Sequence, residues 1–427
     1  MLPVILAAVL GVCDLGRVFS TPDAWKISSV DFAVEYQSDG FEFASQKRDI
    51  VNCLRRGGCT WHGLEVWEAR VYFSGAEAKR VEMSLYNRGD DGEGEGLDSK
   101  GLARLLSEIA AKAQPKGKIG SNPSKKKLHT GGYQFTKSFD KGVNNVELVW
   151  GTDGVKAKTM TADYVRVTMY PKGGAKPKRT ARAGVAGSVS AAKVKSNLRK
   201  NEQGDVWVDN VPMVDQGQKG YCAAATSERL LRYYGFNIDE HEIAQLAGTT
   251  ATGGTSISEM IEAVRAVGSK CRLGFQSVVS MSSGVGSIEK DIEEYNEAVK
   301  GTGEKELVMG DFISGNIIHV GEINAAMKPK VLKKMRMKDS RYKKFLAGVK
   351  TQIDKGIPLF WGVTLGKFPE PGIPQNAGGH IRLIVGYNTK TSEILYSDSW
   401  GAGHELKRMP QDWAFTITHD LFFLRPL

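Results

Sequence analysis

Cysteine is scarce in this sequence: five residues in 427, too few for a disulfide-built scaffold. Histidine is also scarce, with seven residues and no paired Cys/His spacing of a structural zinc site. Beyond residue 12 no apolar run approaches the length of a membrane span, so no integral membrane domain is expected. Acidic residues are missing from one stretch: residues 171–200 carry nine Lys/Arg and no Asp/Glu. That stretch holds nearly all of the net charge of +10. It is also rich in Gly, Ala, Ser and Pro, as a flexible basic linker is, so the charge does not argue for a nucleic-acid partner.

The remaining composition is that of a globular protein, 41% hydrophobic and 25% charged. Its length calls for two domains. The N-terminus opens with the apolar run Leu2–Val12, which has the length of a signal-peptide core. Val18 and Ser20 fit a cleavage site before Thr21, although no Lys or Arg precedes the run. The expectation is a signal peptide over 1–20 and a secreted or cell-envelope location; the competing reading is an apolar N-terminal strand. Cys53 and Cys59, close in sequence, could close a small disulfide loop in an oxidising compartment. Cys271 reads as a packing residue.

Residues 26–170 read as an α+β domain. LEVWEARVYF and AKRVEMSLYN alternate as half-buried strands do, SKGLARLLSEIAAKAQ has a helical apolar face, and GYQFTKSF, NVELVWG and DYVRVTMY give further strands. No paired acids, metal ligands or phosphate loop mark a site there, so a binding module, a pro-domain and a structural platform stay open. Residues 171–205 are the expected linker and a candidate nicking site that could release the N-terminal domain. Residues 206–427 place helices first and strands after: DEHEIAQLAG, SISEMIEAVRAVG, SIEKDIEEYNEAVKG and DSRYKKFLAGVKTQIDKG, then IPLFWGVTL, HIRLIVGYN, EILYSDSW and LFFLRPL. This order is that of an α+β fold with a mostly antiparallel sheet.

Cys222 stands before Ala223, Ala224 and Ala225, the strongest helix formers, and Gly235 closes the segment. A helix start lowers a thiol pKa and so activates it; the same position also suits a small buried residue. DQGQKGYCAAA resembles the active-site stretch of the papain family, in which a Gln precedes the Cys by six positions, as Gln216 does here. The resemblance implies that Gln216 and the Cys222 backbone N–H form an oxyanion hole; Gln218 is nearer but differently spaced. Tyr221 and Ala223 depart from the family's usual small residue before and aromatic residue after the Cys.

Among the histidines, His380 opens the strand segment GGHIRLIVGYN behind Gly378 and Gly379, and His319 in GNIIHVGE is the main competitor. The papain family's catalytic His opens such a strand. SDSWG at 397–401 resembles the family's Asn-Ser-Trp-Gly motif, with Asp398 in the Asn position. Asp there is the pattern of the bacterial double-glycine leader peptidase branch. Trp400 matches the residue that shields the His pair. The resemblance covers about half of the chain. It implies a Cys222–His380–Asp398 peptidase acting on peptide or protein substrates, monomeric, with no cofactor and no metal. Two alternatives remain: a transglutaminase-like acyl transferase, and an idle papain fold used for binding.

Overall fold

A computed structural model describes residues 12–88, 96–113, 122–127, 132–156, 159–173, 190–217, 220–236, 243, 257–281, 285–315, 317–373 and 378–427. The helix expected within DEHEIAQLAG, Gln218, His129, His241 and residues 174–189 of the basic linker lie outside these residues. Among the described residues no helix is long and apolar enough to cross a membrane.

The N-terminal domain is built on an antiparallel sheet of nine strands, with a small three-stranded sheet beside it. Its central strands are Glu68–Ser74, Glu77–Asn87, Thr161–Pro171 and Asn144–Thr152, with Ile50–Cys53 and Glu42–Phe43 toward one edge. Alternation in these segments puts Val71, Val81, Met83, Val165 and Val167 on a fully buried face. The helix Ser99–Ala113 packs there through Leu102 and Ile109. Cys53 and Cys59 are both buried and both free thiols, with Cys59 hydrogen-bonded to Cys53.

The first described residues belong to this core. Cys13–Asp14 form a short strand parallel to Cys59–Trp61. Leu15 and Phe19 are completely buried, and Phe19 packs its ring on Trp25 and Phe32. The Asp14 carboxylate accepts hydrogen bonds from the backbone N–H groups of Gly16, Arg17, His62 and Gly63. These four bonds hold it ionised below the usual Asp range, against the cost of burial. A cut before Thr21, as expected for a signal peptide over 1–20, would strip Leu15 and Phe19 from the core.

The C-terminal domain has an eight-stranded antiparallel sheet. Its spine runs Leu198–Lys200, Asp205–Val208, Gly378–Asn388, Leu359–Leu365, Thr418–Pro426, Leu273–Ser280. Glu393–Ser397 pairs with Gly378–Asn388 and then with Lys407–Pro410. Helices Cys222–Tyr233, Ile257–Lys270 and Arg341–Ile353 pack against the sheet around a core that includes Leu230, Phe345, Ile353, Phe360 and Trp361. Cys271 lies half-buried against it. A separate apolar cluster joins Val285–Val299, Val320–Ala326 and Pro329–Arg336 through Tyr295, Ile323 and Val331.

The domain begins earlier than residue 206. Ser190 caps the helix Ala191–Lys195, whose Val194 is buried in the C-terminal core. The Tyr233 hydroxyl reaches the Val194 carbonyl at 3.2 Å. Leu198–Lys200 then pairs with Asp205–Val208. Residues 190–205 are therefore part of the folded domain, and the stretch expected as linker over 171–205 is shorter at that end.

Removing residues 1–20 is expected to lower stability by about 3 kcal/mol or more, since two fully buried apolar side chains are lost. Urea titration of the full chain against a chain starting at Thr21 checks this. Equal midpoints would show that the packing of Leu15 and Phe19 contributes nothing.

Candidate active site

The residues singled out from the sequence converge at one end of the C-terminal sheet. Cys222 is the first residue of its helix, with Tyr221 in the N-cap position. Cys222 is half-buried against the core. Two buried side chains of the same helix fix where its N-terminus points. Thr226 Oγ1 donates to the Ile381 carbonyl at 3.1 Å, beside His380. Arg229, fully buried, donates through Nε to the Pro212 carbonyl at 2.9 Å and through Nη1 to the Asp398 carbonyl at 2.8 Å, and its Nη2 reaches Ser397 Oγ. The helix is thus bolted to the strand that holds His380 and to the turn that holds Asp398.

Strand register sets the other two groups. Leu383 pairs with Ser397, so Asp398 follows directly beyond the paired strand, opposite Arg382. His380 and Arg382 project from the same face, two residues apart. His380 Nε2 lies 2.6 Å from Asp398 Oδ1, and Arg382 Nη1 lies 3.4 Å from Asp398 Oδ2. The remaining ring nitrogen of His380, Nδ1, is left for the Cys222 thiol, with which His380 is hydrogen-bonded. Trp400 stacks on the imidazole, with centroids 4.4 Å apart and planes 2° from parallel. Gln216 is buried; its backbone N–H donates to the Ser399 carbonyl at 2.8 Å, and its Oε1 accepts from Ser399 Oγ at 2.7 Å. That bond fixes which end of the amide is Oε1 and which is Nε2.

The charges follow from this arrangement. Burial alone would raise the Asp398 carboxyl, but His380 and Arg382 outweigh it and push it down to about 2. Burial would lower His380, yet the Asp398 carboxylate and the bonded thiol push it up to about 9. Cys222 is raised by burial and lowered more by its hydrogen bond and charge interaction with His380, helped by the Ile381 N–H. The net directions favour a thiolate beside an imidazolium.

The other histidines stand elsewhere. His319 is a partly exposed N-cap residue, 3.2 Å from Ser314 Oγ and not brought to Cys222. His419 is bonded to Thr364, and burial pushes it down to about 4. His404 meets Trp400 edge-on at 6.1 Å. His62 lies in the N-terminal domain, its backbone bonded to Asp14.

Four participants were not picked out from the sequence: Arg229, Ser399, Arg382 and Glu370. Arg382 is completely buried, with its guanidinium 4.5 Å from the Trp361 ring centroid and 4.2 Å from that of Tyr396. It pairs with Glu370 Oε2 at 2.7 Å, and the Tyr396 hydroxyl donates to the same oxygen at 2.5 Å. A cation in the middle of the apolar segment HIRLIVGYN was itself the signal, because a buried charge needs an opposite partner.

Arg382→Met is expected to destabilise the domain by about 3–5 kcal/mol, since it leaves Glu370 buried without its cation. Adding Glu370→Gln should return part of that loss. Chemical denaturation of the single and double variants tests it, and equal losses in both would show that the pairing is not the cause.

Residues 208–417 match the Peptidase_C39 like family. No curated protein matches the sequence. Among solved structures, xylellain, a cysteine protease from Xylella fastidiosa, is similar over 55% of this chain and 88% of that one, at 14% identity. Its TM-score of 0.27 is too low to add to the assignment. The family match covers the Cys222 helix, the His380 strand and the Asp398 turn: the C-terminal domain belongs to the papain-like cysteine peptidase superfamily.

Proposed function

We propose that the protein hydrolyses peptide bonds, with Cys222 as nucleophile, His380 as general acid and base, and Asp398 as the group that orients His380. The observation that carries this reading is the continuous chain of contacts from the Cys222 thiol through His380 to Asp398, covered by the stacked Trp400 ring. The Cys222 thiolate attacks the peptide carbonyl carbon, and the carbonyl π electrons move to oxygen. Gln216 Nε2 and the backbone N–H of Cys222, which stands in the first turn of its helix where no intrahelical carbonyl can accept it, donate to that oxyanion. As the tetrahedral intermediate collapses, the C–N bond breaks and the His380 imidazolium protonates the departing amine. His380, now neutral, takes a proton from water, whose oxygen attacks the thioester. Breakage of the C–S bond releases the carboxylic acid and restores the thiolate–imidazolium pair. Trp400 keeps bulk water from the His380–Asp398 contact, which strengthens it.

The test is peptide-library cleavage by the wild type and Cys222→Ala, with products mapped by mass spectrometry. Hydrolysis is expected only from the wild type. Retained cleavage by Cys222→Ala would overturn the reading, and incorporation of added amine in place of hydrolysis would reassign the protein to acyl transfer.

The pH dependence has a defined sign. The leaving amine needs a protonated His380, and that proton is present below its raised pKa and lost as pH passes about 9. The alkaline limb of kcat/KM is therefore expected near pH 9, as a property of the coupled pair. Asp398→Asn removes the charge that most favours the imidazolium and should move this limb to lower pH. An unmoved limb would mean that Asp398 does not set the His380 proton affinity.

A further inference from the structure

Two asparagines of the N-terminal domain reach across to the residues beside the two oxyanion donors. Asn52, in the strand Ile50–Cys53, is 1% exposed, and its Nδ2 donates to Asp215 Oδ2 at 3.4 Å. Asp215 precedes Gln216, and its Oδ1 accepts from the Gly217 N–H at 2.9 Å. Its carboxylate thus closes a small turn around Gln216 while held from the other domain. Asn87 ends the strand Glu77–Asn87, is completely buried, and its Nδ2 donates to the hydroxyl of buried Tyr221 at 3.3 Å. Tyr221 is the N-cap residue immediately before Cys222.

The same edge of the N-terminal sheet makes further contacts with this face. Leu54 lies against Gly217, where a Cβ would stand 3.3 Å from the leucine side chain and where φ is +62°. The Gln46 N–H donates to Glu405 Oε1 at 2.5 Å, in the loop that follows Trp400. Gly401, also at positive φ, leaves room for Asp215: a Cβ there would lie 2.5 Å from its Oδ2. Glycine suits both positions because it accepts positive φ and has no Cβ to collide.

We propose that the N-terminal domain is part of the catalytic apparatus, with Asn52 and Asn87 as positioning residues for the Gln216 amide and the Cys222 N–H. This rests on the peptidase reading above. Neither asparagine touches substrate; each acts through the residue next to a donor. The physical need is strict, because an oxyanion donor stabilises the transition state only at about 2.7–3.1 Å from the oxyanion. Displacing a group by about 1 Å can cost on the order of 100-fold. The domain would then be a platform retained in the working enzyme, and its release by cleavage in the basic stretch would lower turnover.

Alkylation by iodoacetamide separates positioning from general damage. That reaction needs the Cys222 thiolate but builds no oxyanion, so it reports the Cys222–His380 pair alone. Asn52→Leu and Asn87→Leu are expected to lower kcat for a peptide substrate about tenfold or more, with KM little changed. Their Cys222 alkylation rates and pH profiles should match the wild type. Asn52→Leu placed on Gln216→Ala should cost less than about twofold further. Asn52→Ser and Asn87→Ser carry the same test should the leucine variants not fold. Unchanged kcat in an active, correctly folded variant overturns the inference and leaves the peptidase reading intact. A parallel fall in alkylation overturns it too, since the asparagines would then be supporting the whole domain. A wild type that hydrolyses no peptide defeats the peptidase reading and this inference together.

Discussion

Asp398 is completely buried between two cations, and the neighbouring parts of the domain are arranged to make that tolerable. Its Oδ1 faces His380 and its Oδ2 faces Arg382. A carboxylate this deep would be protonated on its own; two cations and the Ser399 N–H keep it charged. Arg382 in turn could not be buried for Asp398 alone, because two cations against one anion leave a net charge. Glu370 balances the count, and Tyr396 and Trp361 surround the guanidinium. Arg229, also fully buried, feels the Asp398 charge as well, so with His380 protonated and Cys222 ionised three cations stand against three anions. The imidazolium and the thiolate thus add no net charge to the buried group.

This balance gives the sheet its role. The side chains of His380 and Arg382 fall on one face because they are two residues apart on one strand. Asp398 falls between them because the hairpin register pairs Leu383 with Ser397. A shift of one residue would send His380 and Arg382 to the opposite face and break both contacts. The Cys222 helix is then tied to the same two segments by Thr226 and Arg229. The thiol and the imidazole are held by separate elements, yet each is anchored to the other's support.

The sequence made the local parts of this legible and the long-range parts not. Three alanines after Cys222 mark a helix from their own propensity, and alternation marks the strands around His380 and Asp398. Glu370 sits outside any periodic segment, so nothing near it signals that it neutralises Arg382. The Asn52–Asp215 and Asn87–Tyr221 contacts span 163 and 134 residues, and ordinary polar residues carry them. Composition is also ambiguous in two places. A short apolar run before residue 20 reads as a signal peptide, but Leu15 and Phe19 are equally what a buried N-terminal segment needs. Lysines and serines before residue 200 read as linker, while one apolar anchor, Val194, is enough to fold them onto the domain. The helices Val320–Ala326, Pro329–Arg336 and Gln411–Ile417 were missed because each is eight residues or shorter.

The division of labour between the domains follows from what each group can tolerate. The thiolate–imidazolium pair is held by charge, and Coulomb attraction falls off gently with distance. It survives small displacements, so anchors within the C-terminal domain suffice for it. An oxyanion hole is held by geometry, and hydrogen bonds lose strength steeply with misalignment. Gln216 lies in a segment without regular secondary structure, where the chain's own hydrogen-bond ladder cannot fix it. Ser399 grips it from one side, and the Asp215 turn grips it from the other. Asp215 is itself a partly buried carboxylate that burial pushes upward, with the Gly217 N–H and Asn52 opposing that push. On the proposed mechanism, the element most sensitive to position would depend on the support that comes from furthest away in the chain, which would tie the N-terminal domain to the chemistry without giving it a reacting group.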